Sequence, residues 1–308
     1  MKYFIIVNPI SGRGRGEKVV PIIETEFRNQ HLDYNLVFSE RPWHAAELAK
    51  GAAQDGFDVV VTASGDGTAN EALNGLMQAR TSGFNKTAMS ILPVGTGNDF
   101  AYGMNIRQDL ETSCRSLGMN KRLTIDVGLV KGGDYPEGRY FGNGVGIGFD
   151  AAVGFEAVKI RWTRGLLAYL IATIRTVFLY YKAPTVCIDI DGKTITQPSL
   201  MISIMNGQRM GGGFFMAPKG RPNDGWFDLC IAEEASKTRI FGLIPHFLKG
   251  TQAGEKEIKT AQARKVDVTA IKGTLPAHCD GETLCHEGKS LSIELIPNAI
   301  EFITSEEP

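Results

Sequence analysis

The chain has 308 residues, enough for two domains of ordinary size or one large one. With 43% hydrophobic and 22% charged residues it has the composition of a folded globular protein, and a formal net charge of -1 gives no overall basic field to recruit nucleic acid or an anionic membrane. Five cysteines, odd in number and scattered, do not read as a disulfide framework and favour a reducing cytoplasm.

The apolar opening run stops at Asn8-Pro9; it is too short for the apolar region of a signal peptide and fits a first strand, Lys2–Val7. Strand and helix then alternate. The loop Asn8-Pro9-Ile10-Ser11-Gly12-Arg13-Gly14-Arg15-Gly16 precedes a helix reaching about residue 30. A strand at 34–38 leads through Ser39-Glu40-Arg41-Pro42 to a helix at about 43–54, and a strand at 57–62 leads to a Gly-Asp-Gly turn and a helix. A strand at 88–92 ends in Pro93-Val94-Gly95-Thr96-Gly97-Asn98-Asp99 and a further helix. Four such units in succession predict an α/β domain, a Rossmann-like parallel sheet with helices on both faces, with ligands beyond the strand C-termini, where all four loops lie.

The pattern changes near Lys121. Runs at 122–130, 140–145, 185–190, 200–205, 226–231, 266–270 and 290–295 read as strands, interrupted by helices at about 161–181 and 237–248. They predict a second, β-rich domain, an antiparallel sandwich. The expected division is residues 1–126 for the first domain and 127–295 for the second, with 296–308 returning to the first. The longest apolar run, 165–181, contains Arg175 and falls short of the roughly 20 residues of a membrane span.

Chemistry concentrates at Ser64-Gly65-Asp66-Gly67-Thr68-Ala69-Asn70-Glu71, after the apolar run Val59-Val60-Val61. A strand, a glycine turn and a helix N-terminus make an anion cradle, because glycines admit close approach of backbone N–H groups and the helix end adds positive potential. A carboxylate there repels phosphate unless it serves a metal ion, a proton or a hydrogen bond, and that points to phosphoryl chemistry. No Gly-Lys-Ser/Thr closes the first loop, so it is not a Walker A loop. No loop completes G-x-G-x-x-G, since Asn70 stands at the third position after Gly65 and Gly67.

Taken together, Asn8-Pro9-x-Ser11-Gly12, Gly65-Asp66-Gly67-Thr68-x-Asn70-Glu71, Leu92-Pro93-x-Gly95-Thr96-Gly97-Asn98-Asp99-Phe100, Gly146-Ile147-Gly148-Phe149-Asp150, Asn223-Asp224-Gly225 and Asp280-Gly281-Glu282 resemble the diacylglycerol kinase catalytic-domain family, soluble bacterial lipid kinases related to sphingosine and ceramide kinases. The resemblance spans nearly the whole chain, although Gly-Asp-Gly-Thr alone is shared with NAD kinases and phosphofructokinases. It implies an ATP-dependent, Mg2+-requiring kinase that transfers the γ-phosphoryl group to the free hydroxyl of a lipid such as diacylglycerol. Nucleotide contacts would come from Asn8, Pro9, Ser11, Gly12, Ser39, Gly65, Asp66, Gly67, Thr68, Asn70, Glu71, Gly95, Thr96, Gly97 and Asn98. Asp66, Asp280 and Glu282 would be catalytic, with the proton acceptor among them left open. The carbonyls of Arg221 and Trp226 and the carboxylate of Asp224 would hold a structural magnesium ion. Departures from the family are Ser64, where glycine is commoner, and Tyr102, where arginine is common.

Other readings stand beside these. Asp280-Gly281 is also a strong type I′ hairpin signal, and the Asn223-Asp224-Gly225 bend is an ordinary turn. His278-Cys279 and Cys285-His286 flank the hairpin, but neighbours on a strand face opposite ways, which speaks against one zinc ion taking all four. The helix at 161–181 reads as a core helix; alternatively its surface, with Arg161, Arg164 and Arg175, rests on a membrane or lines a lipid-tail groove. Peripheral membrane contact, no nucleic-acid partner and an open possibility of a homodimer complete the expectations. The rival functions are an NAD kinase-like enzyme of a soluble substrate and a non-catalytic nucleotide or lipid sensor.

Overall fold

A computed structural model describes residues 1–160, 162–163, 165–179 and 183–305. The chain separates into two compact units, Met1–Val127 with Pro297–Pro308, and Gly128–Ile296.

The first unit contains β1 (Lys2–Val7), α1 (Ser11–Lys18), α2 (Val20–Asn29), β2 (Asp33–Phe38), α3 (His44–Gln54), β3 (Val59–Ser64), α4 (Asp66–Thr81), β4 (Ala88–Pro93), α5 (Asp99–Gly103), α6 (Leu110–Met119) and the start of β5 (Arg122–Gly132). Its sheet runs β2-β1-β3-β4, all parallel, with registers Lys2↔Asp33, Tyr3↔Val59 and Val59↔Ala88. Every residue of β3 and β4 is buried, because helices cover both faces of a parallel sheet; this explains the unbroken Val59-Val60-Val61 run. Tyr3 meets Phe27 of α2 edge to face at 5.5 Å, and its hydroxyl donates to Leu117 O at 3.0 Å, so one face is tied to α2 and α6.

The second unit continues with β6 (Tyr135–Phe141), β7 (Gly144–Gly148), α7 (Phe149–Lys159), α8 (Gly165–Leu179), β8 (Thr185–Ile190), β9 (Lys193–Met205), β10 (Arg209–Met210), β11 (Phe214–Phe215), β12 (Phe227–Glu233), α9 (Lys237–Lys249), β13 (Ile258–Ala263), β14 (Lys265–Lys272), β15 (Leu275–Cys279), β16 (Glu282–Gly288) and β17 (Ser290–Ile303), the end of which re-enters the first unit and pairs in parallel with β4 at Phe302↔Met89. Its pairings are antiparallel. The long β9 serves two sets of neighbours: its first half pairs with β8, and its second half lies between β7 and β12. Alternation assigns the faces. Ile202, Ile204, Leu229 and Ile231 enter a core shared with β14, β15 and β17. Met201, Met205, Cys230 and Ala232 turn the other way, towards apolar residues of α8 and α9.

The N-terminal parallel sheet and the antiparallel β-rich unit agree with the predicted fold class. Several elements differ from expectation. Residues 140–145 are not one strand: the ladder breaks at Gly142-Asn143, whose amides are diverted to a carboxylate described below. Helix α7 is unforeseen, because Phe149–Lys159 has no clear apolar stripe on which to recognise it. Strand β13 is unforeseen, and β15 and β16 are foreseen only as the arms of the hairpin at Asp280-Gly281. The helix expected at 161–181 is observed as Gly165–Leu179; Arg161, Arg164 and residues 180–182 lie outside the described residues. Among the described residues no helix is long and apolar enough to cross a membrane.

Candidate active site

In the first unit three strand-end loops are held against one another. After β1, Asn8 Nδ2 donates to Thr68 Oγ1 in the first turn of α4 at 2.7 Å, and Ile10 N–H donates to Asn8 Oδ1 at 3.2 Å. The chain then runs through three left-handed residues, Gly12, Arg13 and Gly14, with φ of 57°, 59° and 86°. After β3, Gly65 is extended and caps α4; after β4, Val94 and Gly95 both donate to Ser64 O. Gly65 and Gly95 touch backbone to backbone. A Cβ built on Gly95 would lie 2.4 Å from Gly65 Cα, so Gly95 must be glycine, and one on Gly65 would lie 3.1 Å from Gly95 Cα, a tight fit, and 3.7 Å from Ser11 Oγ.

Asp66 sits at the junction, and Phe100 N–H, in the first turn of α5, donates to its Oδ1 at 2.9 Å. The carboxylate therefore caps the helix that follows Gly95–Asn98, satisfying a donor that an α-helix leaves open. Asn98 takes a left-handed conformation (φ 53°), donates from Nδ2 to Gly95 O at 3.1 Å, and leaves Oδ1 buried with no hydrogen-bond partner among the described residues. Thr96 is exposed and Gly97 half-buried beside it, and Ser39 follows β2 with its N–H on Val7 O at 2.9 Å. Pro9, Ser11, Gly12, Gly65, Gly67 and Thr68 thus share the C-terminal edge of the sheet with Gly95 and Asn98. Two expected contact residues face the protein instead. Asn70 is fully buried and accepts from Asn74 at 3.3 Å, and Glu71 Oε2 accepts the Ala45 N–H near the start of α3 at 3.3 Å.

In the second unit Asp280 and Gly281, with φ of 47° and 83°, form the two-residue turn between β15 and β16. Asp280 is 4% exposed, and its two oxygens accept three backbone N–H groups, those of Gly142 (2.8 Å), Asn143 (3.0 Å) and Gly144 (2.9 Å). It closes the gap between β6 and β7. Glu282 is different: its side chain is 45% exposed, 3.8 Å from the guanidinium of Arg139, a residue that is itself 2% exposed and donates to the Tyr135 hydroxyl at 2.8 Å. Sequence reasoning missed Arg139 and the 142–144 amides. Their signal was the Gly142-Asn143-Gly144 run, a glycine-rich interruption inside an apolar stretch.

His278 and Cys279 diverge as strand neighbours must. Cys279 and Cys285 enter the sandwich core, His286 packs on Phe155 with ring centroids 4.3 Å apart, and His278 Nε2 lies 3.5 Å from Asp150 Oδ2 over Gly146. Burial pushes the Cys279 thiol well above its ordinary range. Asp150 also lines an apolar cavity with Phe149, Val153, Tyr169, Met201 and Phe214. The Asp224 carboxylate is exposed and accepts the Trp226 N–H at 3.0 Å, an Asx turn. Burial, with a smaller push from Asp224, raises the Asp228 pKa against a hydrogen bond from Gln262. Among the described residues no three His, Cys, Asp or Glu side chains are grouped to hold a metal ion.

Residues 2–130 match the diacylglycerol kinase catalytic domain, and residues 143–304 match the YegS C-terminal NAD kinase beta sandwich-like domain. The diacylglycerol kinase of Bacillus subtilis (strain 168) is 30% identical over 282 residues, covering 90% of this chain and 88% of that protein. The chain belongs to the diacylglycerol kinase family. A second family relative, the diacylglycerol kinase of Mycobacterium tuberculosis (strain H37Rv), is 26% identical over 303 residues, 98% of this chain and 94% of its own length. The fold is also that of a diacylglycerol kinase crystal structure from Bacillus anthracis str. Sterne (TM-score 0.74, 19% identity, 98% of this chain and 96% of that one). It is shared more loosely with yeast NADH kinase complexed with NADH (TM-score 0.51, 11% identity, 99% and 83%). This family member therefore has the α/β and β-rich fold of the diacylglycerol kinase structures.

Proposed function

We propose that the chain is an ATP-dependent lipid kinase. The observation that carries this is the junction of Ser11, Gly65 and Gly95 with Asp66 fixed at its centre, in a chain of this family. Backbone N–H groups at the start of α4 and in the left-handed Gly12–Gly14 turn suit a triphosphate, and the unpartnered Asn98 Oδ1 marks unmet polar capacity beside it. These features suit a polyanion with Mg2+, which Asp66 would orient. When bound, Mg2+ would neutralise phosphate charge. The apolar cavity bounded by Phe149, Met201 and Phe214, with Asp150 on its wall, supports a lipid acceptor.

In the reaction the acceptor oxygen bonds to the γ-phosphorus, the bond to the β–γ bridging oxygen breaks, and the hydroxyl proton goes to a carboxylate. Glu282 suits that last role better than Asp280, because both Asp280 oxygens are taken up by backbone donors while Glu282 is half-exposed and steadied by Arg139. The nucleotide contacts proposed are Asn8, Ser11, Gly12, Ser39, Gly67, Thr68 and Thr96, with Asn70 and Glu71 acting through the loops they brace. The carbonyls of Arg221 and Trp226 and the Asp224 carboxylate are proposed to hold a structural divalent ion. Incubating the protein with labelled ATP and a panel of diacylglycerol, monoacylglycerol, ceramide, sphingoid base and NAD tests the assignment. A labelled phospholipid is the expected product, and label in NAD alone would overturn it. Asp66→Asn should abolish transfer; wild-type rates in that variant would remove Asp66 from the mechanism.

A further inference from the structure

One row of the second unit's sheet carries polar groups where apolar ones would be expected. Antiparallel register sets His278 of β15 beside Gly146 of β7, Gly146 beside Ser203 of β9, and Ser203 beside Cys230 of β12. Cross-strand neighbours share a face, and this one is turned to α8 and α9, where Met201, Met205 and Cys230 also point. Gly146 leaves a gap in the row. A Cβ there would lie 2.2 Å from Asp150 Oδ2 and 2.5 Å from His278 Nε2, so the α7 carboxylate and the imidazole take the space of a missing side chain.

These groups are buried and short of partners. Ser203 is fully buried, His278 is 8% exposed, and the Asp150 side chain is 12% exposed. Asp150 Oδ2, His278 Nδ1 and Ser203 Oγ each lack a hydrogen-bond partner among the described residues, and the 3.5 Å from His278 Nε2 to Asp150 Oδ2 is too long for a strong bond. A buried carboxylate oxygen without a donor is costly, so native structures rarely keep one unless something else supplies the donor. Asp150 also lines the apolar cavity with Phe149, Tyr169 and Met201, within reach of a donor on an aliphatic ligand. A hydroxyl, which gives and takes hydrogen bonds, suits this mix of groups better than an ammonium, which only gives. The catalytic hairpin is near: His278 stands two residues before Asp280 and four before Glu282, about 7 Å along β15 from the turn. A donor held by Asp150 and a hydroxyl presented to Glu282 therefore fit on one lipid headgroup.

We infer that the Asp150 carboxylate, with His278 and Ser203 beside it, is the subsite for a second, non-reacting hydroxyl of the acceptor, and that the acceptor is a lipid with two neighbouring hydroxyls, a monoacylglycerol. Diacylglycerol does not meet the requirement, because its one hydroxyl is the one phosphorylated and the ester on the next carbon only accepts hydrogen bonds. The inference rests on the lipid-kinase reading for its reaction, but the subsite is tested by binding alone.

Binding to the full chain is measured by calorimetry, without nucleotide, for 1-octanoylglycerol and for 3-hydroxypropyl octanoate, the same ester without the middle hydroxyl. The wild type should bind the first at least about tenfold more tightly, and Asp150→Ala should lose that ratio. Should Asp150→Ala fail to fold, Ser203→Ala, which removes a single oxygen, should narrow the ratio by a factor of about three or more. With labelled ATP, kcat/KM of the wild type should be higher for 1-octanoylglycerol than for either the deoxy ester or 1,2-dioctanoylglycerol, and Asp150→Ala should erase the advantage over the deoxy ester. Equal affinity of the wild type for the two esters, or an undiminished ratio in the variants, would overturn the inference. So would tighter binding of a ten-carbon sphinganine than of 1-octanoylglycerol, for then an amine fills the subsite. The expected binding ratio with no transfer to any lipid would count against the kinase reading and leave the subsite standing.

Discussion

Two carboxylates one residue apart, Asp280 and Glu282, have been given different work by their surroundings. Removing the Asp280 acceptors strands three buried amides, each costing roughly 1–3 kcal/mol. Asp280→Asn, which keeps the volume but turns an NH2 group towards those amides, should cost about 3 kcal/mol. That corresponds to a fall of roughly 6–12 °C in the unfolding temperature. Glu282→Gln should leave the melting temperature where it is and lower kcat at least about 100-fold, the usual contribution of a proton acceptor. Calorimetry and steady-state kinetics on the two variants separate the roles; equal loss of stability in both would merge them. The thiols offer a second check at this scale. Burial pushes Cys114 and Cys230 up to about 12 and raises Cys279 and Cys285, while Cys187 on β8 is only half-buried. Titration of the native protein with a chromogenic disulfide at mildly alkaline pH should show a single fast thiol, and the Cys187→Ser variant none.

At the scale of elements, the junction of the loops after β3 and β4 depends on the absence of a side chain. Gly95→Ala places a methyl group 2.4 Å from backbone that cannot yield, so the loops must part. We expect circular dichroism close to wild type, with the sheet intact, and loss of any thermal stabilisation by ATP; a normal ATP response would show that the junction is not needed for the nucleotide. The second element-level device joins α9 to the stretch leading into β13. Arg239 donates to Glu257 at 3.0 and 2.8 Å and also engages Glu255, holding the Glu257 carboxyl at about 2, below its ordinary 4.5. A depressed carboxyl stabilises the fold fully above its unfolded value and loses that contribution as pH falls towards the folded one. Thermal stability should therefore decline between pH 4.5 and about 2, and Glu257→Gln should flatten that part of the curve. The elements themselves were unevenly legible. Loops at parallel strand ends announce themselves locally, as apolar runs that stop at glycine. The break at Gly142-Asn143 left only glycines within an apolar stretch as its local mark; what it serves could not be read there, because the Asp280 carboxylate is 138 residues further along.

For the whole molecule, binding of ATP to the native state alone should raise its stability by mass action, by about 2.7 kcal/mol at a hundredfold excess over Kd. A thermal melt that does not move with ATP and Mg2+ would argue against nucleotide binding, and so against the kinase reading. What the amino-acid order determined unaided was the alternation of strand and helix up to about residue 105, the switch to strand-rich sequence beyond Lys121, and which residues stand in the strand-end loops. These depend on hydrophobic period and on residues adjacent in the chain. Only the tertiary structure decided that Asp66 caps the helix after β4, that Asp280 is spent on three amides while Glu282 is left to Arg139, and that Asp150 meets His278 over Gly146. Each of these is settled by partners dozens of residues away, and none is written in local pattern.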